Sequence, residues 1–362
     1  MAAAKGTVII TGANGGLGSA IAKQLVSQPE FVNYHGIYLV RDANSAPELN
    51  AALAISSSHP HDVLSMDLTD LDSVRKTAEG VNLRVSAGNI PQIKTLILNA
   101  AFQDFGKQTW TKDGFDTTFS ANYLGHWLLT MLLLESMDKE SGRIPVLRVK
   151  SPPALMILLN LELMAMFCSS PRDKRNERSK AFIDEKYKTI FHDQAGVEAI
   201  AKGNWSSAQE DPSWRSGYRR YGASKLFLIM MMHELQHRMD QDPTFENVCI
   251  LGVDPGTMST SLTRHASWVF RFIFHVIVSL LIFFMPDGPM HTTQKSASHI
   301  LQAAFDSNQV MGQSPKDVYL DGVDLSETSD ESGDVRKRDL LWKESVRYTG
   351  LKKGETVLQK WE

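Results

Sequence analysis

Cysteine is scarce in this sequence, and so is any excess of positive charge. The 362 residues include only two cysteines, Cys168 and Cys249, too few for a disulfide framework, so we expect a reducing compartment. The formal net charge of −3 gives no bulk attraction to nucleic acid, and no nucleic-acid partner is expected. A secretory leader pattern is also lacking before the first apolar run. Together these features predict a protein of the cytoplasm or of the cytoplasmic face of an internal membrane.

Long apolar runs are few, and the exception is residues 267–286. This stretch is about as long as a minimal membrane-spanning helix of ~20 residues. Arg271 and His275 lie inside it, and charged groups are costly in hydrocarbon. The alternatives are a flap over a lipophilic pocket and a helix lying in the membrane interface. Membrane association through this segment is therefore one expectation.

Short apolar strand patterns alternate with helical patterns along most of the chain. Strands that are apolar on both faces are typical of a parallel sheet covered by helices on each side. The pattern predicts an α/β fold, a doubly wound parallel sheet of the Rossmann type, in a single domain over residues 1–325. An insertion at about 144–217 interrupts it, and residues 326–362 read as a charged tail with a short helix. The fifth strand is ambiguous, because "PVLRV" and "MAMFCSS" both qualify.

A glycine-rich turn lies between the first strand and the first helix. Gly12, Gly16 and Gly18 would let the backbone approach a pyrophosphate, and the helix that follows offers free N–H groups. This placement makes the turn a strong dinucleotide signal. After the second strand comes Arg41, where NAD-binding proteins commonly carry an acidic residue. A guanidinium suits a 2′-phosphate and favours NADP(H), although Asp42 is an alternative contact to an unphosphorylated ribose.

Several motifs follow in order along residues 5–265, and as a set they resemble the short-chain dehydrogenase/reductase family. The resemblance implies a cofactor loop, an adenine contact, a fourth-strand motif and a nicotinamide turn. It also implies a catalytic tyrosine and lysine in "RYGASKLF", and a helical asparagine that supports a water for proton relay. The positions that match are Gly12, Asn14, Gly16, Leu17, Gly18, Asp67, Leu68, Asn99, Asn122, Tyr221, Lys225, Pro255, Gly256, Met258 and Thr260.

In the mechanism that the resemblance implies, Tyr221 gives its proton to a carbonyl oxygen as hydride arrives from NADPH. Lys225, one helical turn later, favours the deprotonated phenol and holds the nicotinamide ribose. The family's serine stabilises the oxyanion. Ser170 is the candidate for that role, Ser169 is next, and Ser151 is the rival if "PVLRV" is the strand. An unusual insertion or a gene-model error over residues 145–166 is a further alternative, and so is the absence of any catalytic serine.

Two other motifs compete with this interpretation. Tyr348 and Lys352 repeat the tyrosine–lysine spacing, but Gly350 interrupts their helix, so we interpret this pair as incidental. His233, Glu234 and His237 form H-E-x-x-H, the zinc signature of a metallohydrolase, for which Glu246, Asp254 or His265 would supply the third ligand. The motif falls near the solvent-going end of its helix, and the Rossmann-type order already explains the chain on both sides. We expect no metal.

The expected function is interconversion of a carbonyl and an alcohol in secondary-metabolite biosynthesis. The expected substrate is a small molecule that is bulky and lipophilic. The alternatives are a 3-keto-sterol reductase at the endoplasmic reticulum membrane and a cofactor-binding pseudoenzyme. The sequence also allows a homo-oligomer.

Overall fold

A computed structural model describes residues 4–104, 107–147, 180–182, 184–256, 258, 291–306, 312 and 314–362. Its strands form one eight-stranded sheet in the order β3-β2-β1-β4-β5-β6-β7-β8. All neighbours are parallel except β7 and β8. The strands are β1 (Thr7–Thr11), β2 (His35–Val40), β3 (His61–Ser65), β4 (Ile93–Ile97), β5 (Arg143–Leu147), β6 (Cys249–Asp254), β7 (Tyr319–Asp321) and β8 (Asp324–Leu325).

Helices cover both faces of this sheet. The α-helices are α1 (Gly16–Ser27), α2 (Pro47–Leu53), α3 (Leu71–Ser86), α4 (Thr117–Phe119), α5 (Gly125–Leu133), α6 (Glu185–Lys188), α7 (Gln194–Ala201), α8 (Trp214–Met239), α9 (Thr293–Phe305), α10 (Asp330–Gly333) and α11 (Val335–Thr349). A π-helical turn, Ser120–Leu124, joins α4 to α5. Short 3-10 turns occupy Leu134–Ser136, Lys180–Phe182 and Pro243–Phe245.

The alternation of side chains along β1 separates the two faces. Val8 and Ile10 pack into a core with α1, α2 and α9, whereas Ile9 joins a larger core with α3, α5, α8 and α11. β1 is therefore buried on both sides, as its near-continuous apolar sequence predicts, and so are β4 and β6 over most of their length. The doubly wound parallel sheet with helices on both faces is confirmed.

The fifth strand lies in the earlier of the two segments that competed for it. Arg143–Leu147 pairs with β6 over its whole length and with β4 at Arg143. The Arg143 guanidinium donates to the carbonyls of Ala303 (3.1 Å) and Asp306 (2.6 Å) at the end of α9, which fixes this helix beside the strand. The competing segment, residues 164–170, lies outside the described residues.

The parallel sheet brings the carboxyl ends of β1 to β6 to one edge, where open α/β sheets bind their ligands. This edge therefore collects the predicted cofactor residues. Within the described ranges, no helix combines the length and apolarity needed to cross a membrane. Segment 267–286 lies outside those ranges.

Candidate active site

The glycine turn after β1 has the geometry of a phosphate cradle. Gly12 has a positive φ of 66°, which a side chain would strain. A Cβ at Gly18 would collide with the carbonyl oxygen of Gly12, so only glycine lets α1 begin this close to the strand. No side chain of the described residues caps the start of α1, and its first turn holds no acidic residue. Its N–H groups and the positive end of its dipole remain available to an anion.

Asn14 and Leu17 hold this turn in place. The Asn14 side-chain oxygen accepts a hydrogen bond from the Leu49 N–H (3.1 Å), which ties the turn to the start of α2. Leu17 is buried against the sheet.

The next two strands end in polar residues at the same edge. Arg41 and Asp42 are exposed directly after β2, and Val40 before them is buried. Beyond β3, the Asp67 carboxylate accepts from the N–H (2.8 Å) and hydroxyl (2.7 Å) of Thr69, which fixes a turn. Leu68 is buried beside it, and its carbonyl lies so close to α5 that a Cβ at Gly125 would collide with it.

Asn99 and His126 join the cradle to the helix that carries Asn122. Asn99 donates to the carbonyl of Thr11 (2.8 Å). His126 is fully buried, with Nε2 2.9 Å from the Thr11 hydroxyl and Nδ1 3.1 Å from the Asn122 carbonyl oxygen. A carbonyl can only accept, so Nδ1 carries the proton and the Thr11 hydroxyl donates to Nε2. Burial lowers the pKa of His126 to about 3, in keeping with this neutral ring.

Asn122 lies in the π-helical turn, a type of distortion frequent at functional sites. Its amide binds the backbone of Phe102 twice, accepting from the N–H (2.7 Å) and donating to the carbonyl (2.9 Å). The same amide nitrogen lies 2.9 Å from the Ser224 hydroxyl, which donates to the Tyr221 carbonyl (2.7 Å). Asn122 therefore links the chain after β4 to the tyrosine's turn of α8.

Tyr221 and Lys225 lie one turn apart on α8, and both side chains are buried. The lysine Nζ is 5.7 Å from the centroid of the tyrosine ring, so the ammonium and the phenol share one face of the helix. Gly222, Ala223 and Ser224 between them are small. The spacing read from the sequence thus corresponds to a real juxtaposition.

The turn after β6 is held by polar contacts to its backbone. The Pro255 carbonyl accepts from Ser296 Oγ (2.7 Å) and from His291 Nδ1 (3.0 Å). Gly256 has a positive φ of 81°, and its N–H donates to Asp254 (3.0 Å). Met258 is buried nearby.

All three candidate serines, Ser151, Ser169 and Ser170, lie outside the described residues, and so does Thr260. Placing β5 at Arg143–Leu147 meets the condition under which Ser151 becomes the rival of Ser170.

The second tyrosine–lysine pair is structurally different. Helix α11 ends at Thr349, because Gly350 adopts a left-handed φ of 61° and caps it, so Lys352 lies beyond the helix. The Tyr348 ring packs edge-on against Phe115 and Phe119 in the core. The prediction that Gly350 interrupts this helix is confirmed.

The side chains of the H-E-x-x-H motif have other partners. His233 bonds to Asp317 (2.5 Å) and Thr328 (2.9 Å), and Glu234 pairs with Arg238 (2.8 Å). His237 is exposed, 2.8 Å from the Gln241 amide. Among the described residues, no cluster of three candidate metal ligands occurs.

Comparison with known proteins agrees with this geometry. A family model described as short chain dehydrogenase matches residues 6–155. The short-chain dehydrogenase iccH of Talaromyces variabilis is 40% identical, over 99% of this chain and 99% of its own. The chain belongs to the short-chain dehydrogenase/reductase family. It is accordingly an NAD(P)-dependent oxidoreductase.

The chain also resembles one more distant sequence and one solved structure. The chloroplastic protochlorophyllide reductase of Daucus carota is 28% identical, over 96% of this chain and 79% of its own. A crystal structure of an uncharacterized protein from Mycobacterium paratuberculosis superposes with a TM-score of 0.58 at 24% identity, covering 96% of this chain and 95% of its own. This last similarity concerns the fold alone.

The sequence interpretation missed Thr11, His126 and Ser224, which hold the predicted residues in place. His126 had a detectable signal, since it follows Asn122 by four positions and therefore shares its helix face. Arg220 was also missed, although it directly precedes Tyr221.

Proposed function

We propose that this enzyme interconverts a ketone and an alcohol on a bulky lipophilic substrate, with NADP(H) as its cofactor. One observation carries the proposal: Tyr221 and Lys225 share a helix face at 5.7 Å, beside the Asn122–Ser224 hydrogen bond and at the cradle edge of the sheet. This arrangement provides a proton donor, a cation to stabilise the resulting phenolate, and an anchored asparagine.

The residues present fit the cofactor. The cradle at Gly12 and Gly18 and the open start of α1 suit its pyrophosphate, and Arg41 suits a 2′-phosphate. Asp67 and Leu68 would hold the adenine end, and the turn of Pro255 and Gly256 the nicotinamide end. When bound, NADPH supplies the hydride that reduces the carbonyl carbon.

In the reductive direction, the Tyr221 hydroxyl gives its proton to the carbonyl oxygen of the substrate. The ammonium of Lys225 stabilises the phenolate that remains, because opposite charges close together favour the ionised form. Asn122 holds the adjacent backbone at Phe102 and positions a water through which the tyrosine regains its proton. For the serine that stabilises the oxyanion, the position of β5 supports Ser151, and Ser170 and Ser169 remain candidates.

The substrate class rests on the sequence of the chain. The apolar segment 267–286 and the insertion after β5 suggest a large, lipophilic ketone of the kind found in secondary metabolism. We also propose that the enzyme contacts a membrane surface and associates with itself. Its proposed location is the cytoplasm or the cytoplasmic face of an internal membrane.

The decisive experiment is a panel of lipophilic ketones with NADPH consumption as the readout. We expect turnover by the wild-type enzyme and a loss of at least ~100-fold in Tyr221→Phe, the usual contribution of a positioned general acid. NADPH affinity should be retained, since this substitution removes one oxygen. Tyr348→Phe is the matched control and should keep wild-type turnover.

Wild-type turnover in Tyr221→Phe would refute the mechanism. NADPH binding without turnover of any ketone would instead favour a cofactor-binding pseudoenzyme. Single alanine substitutions at Ser151, Ser169 and Ser170 in the same assay should lower the turnover number at one position.

A further inference from the structure

A buried charge cluster lies directly beside the catalytic tyrosine. The Arg220 guanidinium forms a two-point pair with Asp104, at 2.5 Å from Nη2 and 3.3 Å from Nε. Asp116 lies 3.4 Å from the same Nε. Each of these three side chains is at most 3% exposed. Burying these charged groups is energetically unfavourable, because two carboxylates share one guanidinium out of water. We therefore expect the cluster to have a structural or functional role.

The surroundings of Asp104 show which segment the cluster holds. Asp104 accepts from the Thr118 hydroxyl (3.1 Å) at the start of the helix that leads to Asn122. Its backbone carbonyl packs so tightly on α8 that a Cβ at Gly217 would collide with it. The chain at Phe102–Asp104 is therefore pressed against the first turns of α8.

These contacts close a ring around the tyrosine. From Tyr221 the hydrogen bonds lead through Ser224 and Asn122 to the backbone of Phe102. Two residues further along the chain, Asp104 pairs with Arg220, which is the residue before Tyr221. Asn99 precedes this segment and binds the cradle, so the ring connects the cofactor edge to the proton donor.

We infer that Arg220 is a positioning residue, which holds the segment after β4 at a fixed distance from Tyr221 by its two-point pair with Asp104. The inference rests on the proposed function, since it concerns the alignment of the same tyrosine. A shift of about 1 Å in such an alignment can cost up to ~100-fold in rate.

Arg219 provides a matched control on the same turn. It is equally buried, and it pairs with Asp211 (2.5 Å), the Ser206 hydroxyl (2.7 Å) and the Ala181 carbonyl (3.1 Å). Arg220 also donates to the Ser206 backbone carbonyl, so the two arginines share Ser206, but the hydrogen bonds to Asp104 come from Arg220. The Arg219 guanidinium also lies 4.1 Å from the centroid of the Tyr187 ring. A change at Arg219 thus disturbs a comparable charge without touching Asp104.

The test compares Arg220→Lys with Arg219→Lys. Lysine keeps the positive charge but lacks the planar guanidinium that can bind a carboxylate at two points. In Arg220→Lys we expect kcat to fall about tenfold while the ketone KM and the NADPH Kd stay within about threefold, as an alignment defect predicts. Arg219→Lys should keep kcat within about twofold, because it leaves the pair of Arg220 with Asp104 and the Arg220 bond to the Ser206 backbone in place. Hydrogen exchange should accelerate at Phe102 in the first variant only, since its N–H depends on the Asn122 clamp.

Asp104→Asn offers a second route if Arg220→Lys folds poorly. It should reproduce the kcat loss, and the double variant should be no slower than either single one, because both remove the same link. Unchanged kcat in Arg220→Lys, or an equal loss in Arg219→Lys, would overturn the inference. A wild-type protein that turns over no ketone would count against the proposed function. The hydrogen-exchange rate at Phe102, compared between Arg220→Lys and Arg219→Lys, would then still test whether Arg220 holds the segment after β4.

Discussion

At the scale of single residues, our proposal of NADP(H) as the cofactor depends on Arg41. Its exposed guanidinium follows β2 at the cradle edge, in position for a 2′-phosphate. We expect Arg41→Ala to weaken NADPH binding by roughly tenfold or more, the worth of a charge-assisted hydrogen bond. NADH affinity should change little. Titration of both cofactors by fluorescence measures the two dissociation constants.

Asp42 supplies the control for this prediction. If Asp42 instead binds an unphosphorylated ribose, Asp42→Ala should weaken NADH and leave NADPH unaffected. An unaltered cofactor preference in Arg41→Ala together with that loss would reverse our choice of NADP(H).

At the scale of elements, helix α11 contributes buried side chains to the hydrophobic core. Trp342 is 1% exposed and meets Trp127 of α5 edge-on, with 5.2 Å between ring centroids. Its indole N–H donates to the Trp361 carbonyl (2.7 Å). Arg238 of α8 lies over the same ring and donates to the carbonyls of Lys360 (2.6 Å) and Glu362 (2.5 Å).

Truncation of this tryptophan should therefore destabilise the whole molecule. For Trp342→Ala we expect a loss of about 3–5 kcal/mol in the free energy of unfolding, as for other buried large side chains. Urea denaturation monitored by circular dichroism measures it. Trp110→Ala is the control, since Trp110 is 54% exposed and its loss should cost less than about 0.5 kcal/mol. Equal losses in the two variants would show that α11 contributes little to the core.

The elements differ in how far the sequence could predict them. β1, β2 and β4 are apolar on both faces and bounded by turns, so their positions follow from pattern alone. The position of β5 is seen in its pairing with β4 and β6, and Arg143 in this strand donates to carbonyls at the end of α9. Such long-range contacts leave no local pattern. The pair of Arg220 with Asp104 is similar, because 116 positions separate the two residues.

The candidate site was predictable where spacing along one helix sets the geometry. Tyr221 and Lys225, and also Asn122 and His126, are four residues apart and share a helix face. The contacts between these pairs depend on how α5, α8 and the segment after β4 pack together. The sequence thus indicates the chemical groups, and the tertiary structure determines how they are joined.

At the scale of the whole molecule, buried histidines couple stability to pH. Burial lowers the pKa of His59 to about 4 and that of His126 to about 3. An unfolded histidine titrates near pH 6.5, so between that pH and about 4 the unfolded chain binds more protons than the folded one. Stability should therefore fall as the pH is lowered through this window.

Thermal melts at pH 7.5 and pH 5.5 test this expectation above the range where most carboxylates titrate. The midpoint should drop at the lower pH, and His59→Gln should reduce the drop. His237→Gln, at an exposed position, is the control for the substitution itself. A midpoint that is independent of pH would show that the two buried rings do not titrate in this way.

The pairing of β5 with β6 also bears on how the length of this chain can vary. Their register joins Arg143 to Cys249, and helix α8 with Tyr221 and Lys225 lies between them. Doubling the length of a flexible surface loop costs only ~0.6 kcal/mol in entropy, whereas a helix that aligns two side chains cannot change length in this way. The turn from β1 to α1 has no such freedom, because even one added methyl group at Gly18 collides with Gly12. Insertions and deletions should therefore be tolerated more readily between β5 and α8 than within α8 or at the cradle. New substrate preferences can arise in the first region while cofactor recognition stays fixed in the second.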